Sequence, residues 1–207
     1  MDKIKKIYPN YEITLINDGK AAAMAEKKYG CMKEYKDAVF MNIGTGIGGA
    51  VFMEDKLLQP KKCAGFELGH MIIEKNGKQC TCGKKGCFET YCSIRNLKEQ
   101  VKSKLKIVEN ISGKELRKLV EEKPEETESI IDEYIANLSI GISNIIDIFE
   151  PQIICFGGSF ANYESIILDK LRKKLQEPGM LFSKSNLPEL KMAVLGNDAG
   201  MIGAVIS

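Results

Sequence analysis

The sequence predicts an α/β fold. Three observations carry it: short apolar runs read as strands, helix-patterned stretches separate them, and glycine-rich turns stand at several handovers. The 207 residues are 44% apolar and 28% charged, which excludes a wholly disordered chain, a collagen-like chain and a multi-spanning membrane protein. No linker splits the chain into two units. Thirty basic residues against 28 acidic ones leave a net charge of +2, so there is no electrostatic case for nucleic-acid binding.

The elements follow in order. Residues 10–17 alternate and then turn apolar, as a short strand does, and residues 21–28 are strong helix formers. Asp18 therefore falls where a strand hands over to a helix, a favoured place for catalytic groups in α/β sheets. Residues 37–43 read as a buried strand, residues 44–49 as a glycine turn, and residues 50–53 as a second strand that closes at 54–56. Residues 59–95 form a loop-rich insertion. Ser112 and Glu115 have capping-box spacing for a helix, and Pro124 suits the first turn of the next. Ile130, Tyr134, Leu138, Ile142, Ile145 and Phe149 make one apolar helix face, which Pro151 ends. Residues 152–156 are a strand. Gly157-Gly158-Ser159 then opens another helix, with Ser159 as its N-cap. A last strand covers residues 190–195, and residues 196–200 turn into a final small-residue helix over 201–206.

Three groupings carry chemistry. His70-x9-Cys80-x-Cys82-x4-Cys87 is a Cys3His set, a common structural zinc site with no open position. Gly77, Gly83 and Gly86 let a short loop wrap one ion, and Lys78, Lys84 and Lys85 make this segment unlike a core that merely buries thiols. His70 is the only histidine, so any imidazole chemistry falls to it. Seven cysteines, an odd count, with no apolar signal core behind residues 1–6, point to a reducing, cytoplasmic setting.

The second grouping is Gly44-Thr45-Gly46-Ile47-Gly48-Gly49. It matches G-x-G-x-x-G, with Glu67 near the place of a Rossmann acid, but that motif needs a helix where a strand follows here. It is no Walker loop either, for no Lys-Ser/Thr follows. A phosphate cradle and an ordinary glycine hairpin both remain open for it. The third grouping is Asp18, Glu67 and Glu89, each beside another motif, whereas the acidic run at 121–133 reads as solvated surface. Carboxylates converging with an imidazole suit a polyol, and one of them can serve as general base.

Taken together these motifs resemble the ROK family of bacterial sugar kinases and repressors. The carriers are Asn17-Asp18 with Ala21-Ala22-Ala23, the 44–49 turn, Glu67-Leu68-Gly69-His70, the block from Cys80 to Glu89, Gly157-Gly158-Ser159, and Ala199-Gly200-Met201-Ile202-Gly203-Ala204. The resemblance implies an actin-like, ribonuclease-H-like ATPase fold in which two lobes close on ATP and a hexose. It implies Asp18 as general base, Asn17, Glu67, His70 and Glu89 on the sugar hydroxyls, and His70 shared between sugar and zinc. Gly44, Thr45 and Gly46 would meet the ATP phosphates, and Gly158 and Ser159 the nucleoside, with Mg²⁺ neutralising charge.

The chain departs from the family pattern in three ways. It has no Asp-x-Gly-Gly-Thr loop of a small lobe, Gly19-Lys20 replaces the usual Ala-Asn, and the last helix is short. Residues 1–207 are therefore expected to be the large lobe, which keeps zinc and phosphorylates sugar poorly or not at all. Expected partners are a hexose and a second copy in a homodimer, with a separately encoded small lobe as a further one; no membrane partner is expected. The alternatives to a glucokinase-like enzyme are a sugar-sensing transcriptional regulator and a non-catalytic large-lobe module.

Overall fold

The computed structural model describes residues 2–11, 13, 15–61 and 65–206. Helix α1 (Asp2–Ile7) is followed by α2 (Asp18–Tyr29), β1 (Ala38–Ile43), β2 (Ile47–Met53) and β3 (Lys56–Leu57). Then come α3 (Phe88–Cys92), α4 (Ile94–Leu105), α5 (Gly113–Glu122) and α6 (Pro124–Phe149). The chain closes with β4 (Ile153–Gly157), α7 (Glu164–Leu175), β5 (Glu189–Met192) and α8 (Ala199–Ile206).

The strands form one mixed sheet in the order β3-β2-β1-β4-β5. β1 pairs antiparallel with β2 and parallel with β4. A strand alternates its side chains between faces, and β1 is apolar on both. Val39, Met41 and Ile43 join the larger core under α4 to α7, while Ala38 and Phe40 pack toward Ala23 of α2. Burial on both faces explains why residues 37–43 read as a near-continuous apolar run. The sheet is thus a middle layer, with α4–α7 on one side and α2, backed by α8, on the other.

Several expectations hold in detail. Ser112 accepts from the Glu115 N–H at 3.2 Å, and the Glu115 carboxylate accepts from the Ser112 N–H at 2.6 Å, a complete capping box. Pro124 opens α6, and Glu150, in the left-handed conformation, ends it before Pro151.

Others need correction. Among the described residues of 10–17 there is no strand; Glu12 and Thr14 lie outside them. A strand needs a partner edge. The sheet ends at β3 and β5, and Tyr11 and Leu15 stay exposed. Asp18 therefore follows no strand and sits in the first turn of α2. The glycine turn is shorter than read, because Ile47, Gly48 and Gly49 already belong to β2. Ser159 is not an N-cap: it lies inside a 3-10 turn over Gly158–Tyr163, and α7 begins only at Glu164. The last strand is Glu189–Met192, an edge strand that ends before residue 195.

Two measurements check this architecture. A Cβ at Gly203 of α8 would run into the Ala21 carbonyl of α2. Gly203→Ala should lower stability by about 1–3 kcal/mol in urea unfolding, the usual cost of forcing a tight contact apart. The backbone and hydroxyl of Ser112 hold the Glu115 carboxyl below its ordinary value of 4.5. Its stabilising effect is therefore present above that value and lost as pH falls through the lower folded one. Glu115→Gln should be less stable than wild type at neutral pH, and the gap should close in acid.

Candidate functional site

The first turn of α2 carries two of the predicted residues. The Asn17 side chain caps the helix by accepting from the Lys20 N–H at 3.2 Å, and Asp18 Oδ1 accepts from the Gly19 N–H at 2.8 Å. Both residues face a cavity of about 460 Å³. Across it stand Glu67, His70 and Glu89, and its floor is the turn Gly44-Thr45-Gly46.

Each of these is positioned by backbone. Phe66 adopts φ +58°, unfavourable for a bulky residue, and turns the chain into Glu67. The Glu67 carbonyl accepts from the His70 N–H at 3.0 Å in the 3-10 turn Leu68–His70. This turn lies tight on β2, because a Cβ at Gly69 would meet the Ile47 carbonyl. Glu89, in the first turn of α3, accepts from the Ile47 N–H through Oε2 at 2.8 Å and lines the cavity.

Asn42, at the end of β1, also lines this cavity and was not foreseen. It pairs in register with Gly48 on one side and Gly157 on the other. A Cβ on Gly158, which has φ +71°, would come within 2.6 Å of Asn42 Oδ1 and of the Ile43 carbonyl. The signal in the sequence was a lone amide in an otherwise apolar strand.

The Cys3His residues come together beside this cavity. His70 Nδ1 is 3.7 Å from Cys80 Sγ, and Cys82 Sγ is 3.6 Å from Cys87 Sγ. All four donor atoms lie within 4.8 Å of one another. A zinc tetrahedron with bonds of about 2.3 Å to sulfur has sulfur–sulfur edges of about 3.8 Å, so the donor set fits that ion in type, number and spacing. Gly83 and Gly86, at φ +91° and +79°, make the tight returns. A hydrogen bond from the Cys80 N–H to the Lys84 carbonyl at 2.8 Å closes the loop. Burial, with the neighbouring thiols, pushes Cys87 up to about 12, while the Lys84 backbone N–H pulls Cys82 down. Because the nitrogen near the thiols is Nδ1, Nε2 is the one left for the cavity.

A second cavity, of about 220 Å³, shares Gly44 and Thr45 with the first. Ser159 lines it, as do Ile94, Arg95, Lys98 and Gly113. Arg95 and Lys98 are three apart on α4 and so share a face. Lys98 Nζ donates to the Ile111 carbonyl at 3.2 Å. The sequence reading passed over this pair, whose only mark was two cations one turn apart just after the cysteines. Gly158 shapes the junction with Asn42 without lining either cavity. A mostly apolar groove of about 380 Å³ between α5, α6 and α7 holds none of the predicted residues.

The sequence matches the ROK family over residues 2–206. It is 28% identical over 195 residues to the xylose repressor of Bacillus subtilis (strain 168), covering 94% of this chain and 50% of the repressor. It is 29% identical over 205 residues to the glucokinase of Thermotoga maritima, covering 93% of this chain and 64% of that enzyme. The chain thus spans half to two thirds of the length of these curated relatives. The crystal structure of a ROK family glucokinase from Streptomyces griseus, in complex with glucose and AMPPNP, superposes with a TM-score of 0.84 at 24% identity. The match covers 98% of this chain and 70% of that one.

The bond between Glu89 and Ile47 is testable by itself. Glu89→Ala leaves the Ile47 N–H without its charged acceptor and should cost about 1–3 kcal/mol in denaturant unfolding. An unchanged midpoint would mean that the glycine turn does not depend on α3.

Proposed function

The chain belongs to the ROK family, and we propose that it forms the sugar- and nucleotide-holding lobe of an ATP-dependent hexose kinase. Its fold is the actin-like, ribonuclease-H-like ATPase fold of the family's sugar kinases. The observation that carries the reading is the convergence of Asp18, Glu67, His70 and Glu89 on one cavity whose floor is the 44–46 glycine turn. The carboxylates of Asp18, Glu67 and Glu89 line that space together with the backbone of the glycine turn. Such a lining suits a polyol beside a phosphate chain.

In this reading Asp18 accepts the proton of the sugar 6-hydroxyl as its oxygen attacks the terminal phosphorus of ATP. The new O–P bond forms, the bond to the β–γ bridging oxygen breaks, and ADP leaves. Asn17, Glu67, His70 and Glu89 hold the remaining hydroxyls. Gly44, Thr45 and Gly46 meet the phosphates, and Gly158 and Ser159 the nucleoside. ATP arrives as its Mg²⁺ complex. Arg95 and Lys98 add positive charge to the second cavity, and phosphoryl transfer gains most from positioning and neutralisation. His70, Cys80, Cys82 and Cys87 would hold a structural zinc that pins the segments bearing Glu67 and Glu89. The whole protein is expected to pair with a second copy of itself.

A sugar-sensing regulator is the second reading, favoured by the likeness to the xylose repressor over 94% of this chain. Asp18 argues for the kinase, since a sensor needs no base.

Calorimetry with glucose, with and without a non-hydrolysable ATP analogue, and a coupled phosphorylation assay separate the two. Wild type should bind the sugar. Asp18→Asn should keep that binding and lose about 10²-fold or more of whatever phosphoryl transfer wild type shows. Sugar binding with no transfer by wild type in any assembly supports the regulator. No sugar heat at all overturns both.

A further inference from the structure

On the face of the sheet turned away from the larger core, three donor groups gather that the function above does not use. Glu26 of α2, Cys31 just beyond that helix and Cys155 of β4 bring one carboxylate oxygen and two sulfurs within 4.8 Å of one another. Glu26 and Cys155 are fully buried, and Cys31 is half-buried.

The carboxylate is held rigidly. Glu26 Oε1 accepts from the Val194 and Leu195 N–H groups at 2.8 Å each, and Oε2 accepts from the Cys31 N–H at 3.0 Å. Gly30 makes room for it, since a Cβ there would collide with Oε2. These bonds explain why an acid is tolerated in the interior. They do not explain why two thiols lie against it. Oε1 already takes two bonds and Oε2 only one, so Oε2 retains capacity for a further partner. The Cys31 and Cys155 sulfurs and a Glu26 oxygen lie within 4.8 Å of one another, and a soft cation is the partner that binds two thiolates and a carboxylate together.

We infer that Cys31, Cys155 and Glu26 form a second soft-metal site, built for a thiophilic divalent cation such as Zn²⁺. Two sulfurs and one oxygen supply three ligands, and the half-exposed side of Cys31 admits a water as the fourth. The site shares no residue with the Cys3His group. Its effect is mechanical. It ties the end of α2 to β4 and, through Glu26, to the backbone that leads into α8. The opposite end of the same helix carries Asn17 and Asp18.

The test uses the full chain, reduced, loaded with Zn²⁺ and freed of excess by gel filtration. Elemental analysis should give two zinc ions per chain in wild type and one in Cys31→Ser and in Cys155→Ser. Cys31→Ser, at a half-exposed position, guards against misfolding of the buried variant. With Co²⁺ as the probe, Cys31→Ser should lose part of the thiolate charge-transfer absorption and weaken the second equivalent by about 100-fold. One zinc or none in wild type overturns the proposal. So does a second zinc that survives in Cys31→Ser, or a Cys31–Cys155 disulfide found by mass spectrometry in the reduced preparation.

Discussion

The turn from Gly44 to Ile47 is held from outside its own hairpin, and the functional half of the molecule depends on that hold. Glu89 accepts the Ile47 N–H, while the Gly44 carbonyl accepts from both the Ile94 and Arg95 N–H groups. The start of α3 and the start of α4 thus grip one short peptide from the same direction. A side chain at Gly46 would strike the Glu89 carboxylate. Both cavities share Gly44 and Thr45, so one rigid strip of backbone serves both.

This grip reaches back into the core. Cys87 caps α3, and Phe88 next to it is fully buried against α6, where a side chain at Gly141 would overlap its ring. Tyr134 of α6 donates its hydroxyl to the Cys92 carbonyl at the other end of α3, at 2.7 Å. A five-residue helix has almost no stability of its own. Here α3 is fixed by the long helix beneath it and by the cysteine-bearing loop before it, which brings Ile72 into a bridge with Cys87. The precision of Glu89 is therefore borrowed from α6.

The other side of the larger cavity is built on different supports. Asn17 and Asp18 ride on α2, which packs on the opposite face of the sheet against α8. Glu26 stitches α2 to residues 194 and 195. The acid expected to take the proton and the acids expected to hold the sugar therefore stand on separately anchored elements. Between them runs the glycine turn at the end of β1. Such an arrangement suits a cavity whose two walls must meet at a defined spacing.

What the sequence determined by itself lies within short stretches. The capping box at Ser112, the buried strand at 37–43 and the apolar face of α6 depend on residues a few positions apart, and the zinc-type ligand spacing lies within the one loop from His70 to Cys87. Their physics is local dihedral preference and side-chain periodicity. Residues 10–17 show the limit, because alternation specifies which face a residue points to and says nothing of whether a partner edge exists. Ser159 shows it again: the left-handed Gly158 diverts the chain into a 3-10 turn. The neighbours of Asn42, the placing of Arg95 and Lys98 beside Gly44 and Ser159, and the meeting of Glu26 and Cys31 with Cys155 were decided only by tertiary structure. Each comes from β1 pairing parallel with β4, or from a helix laid across the sheet. Those contacts join residues far apart in the chain, and no periodicity within a window records them.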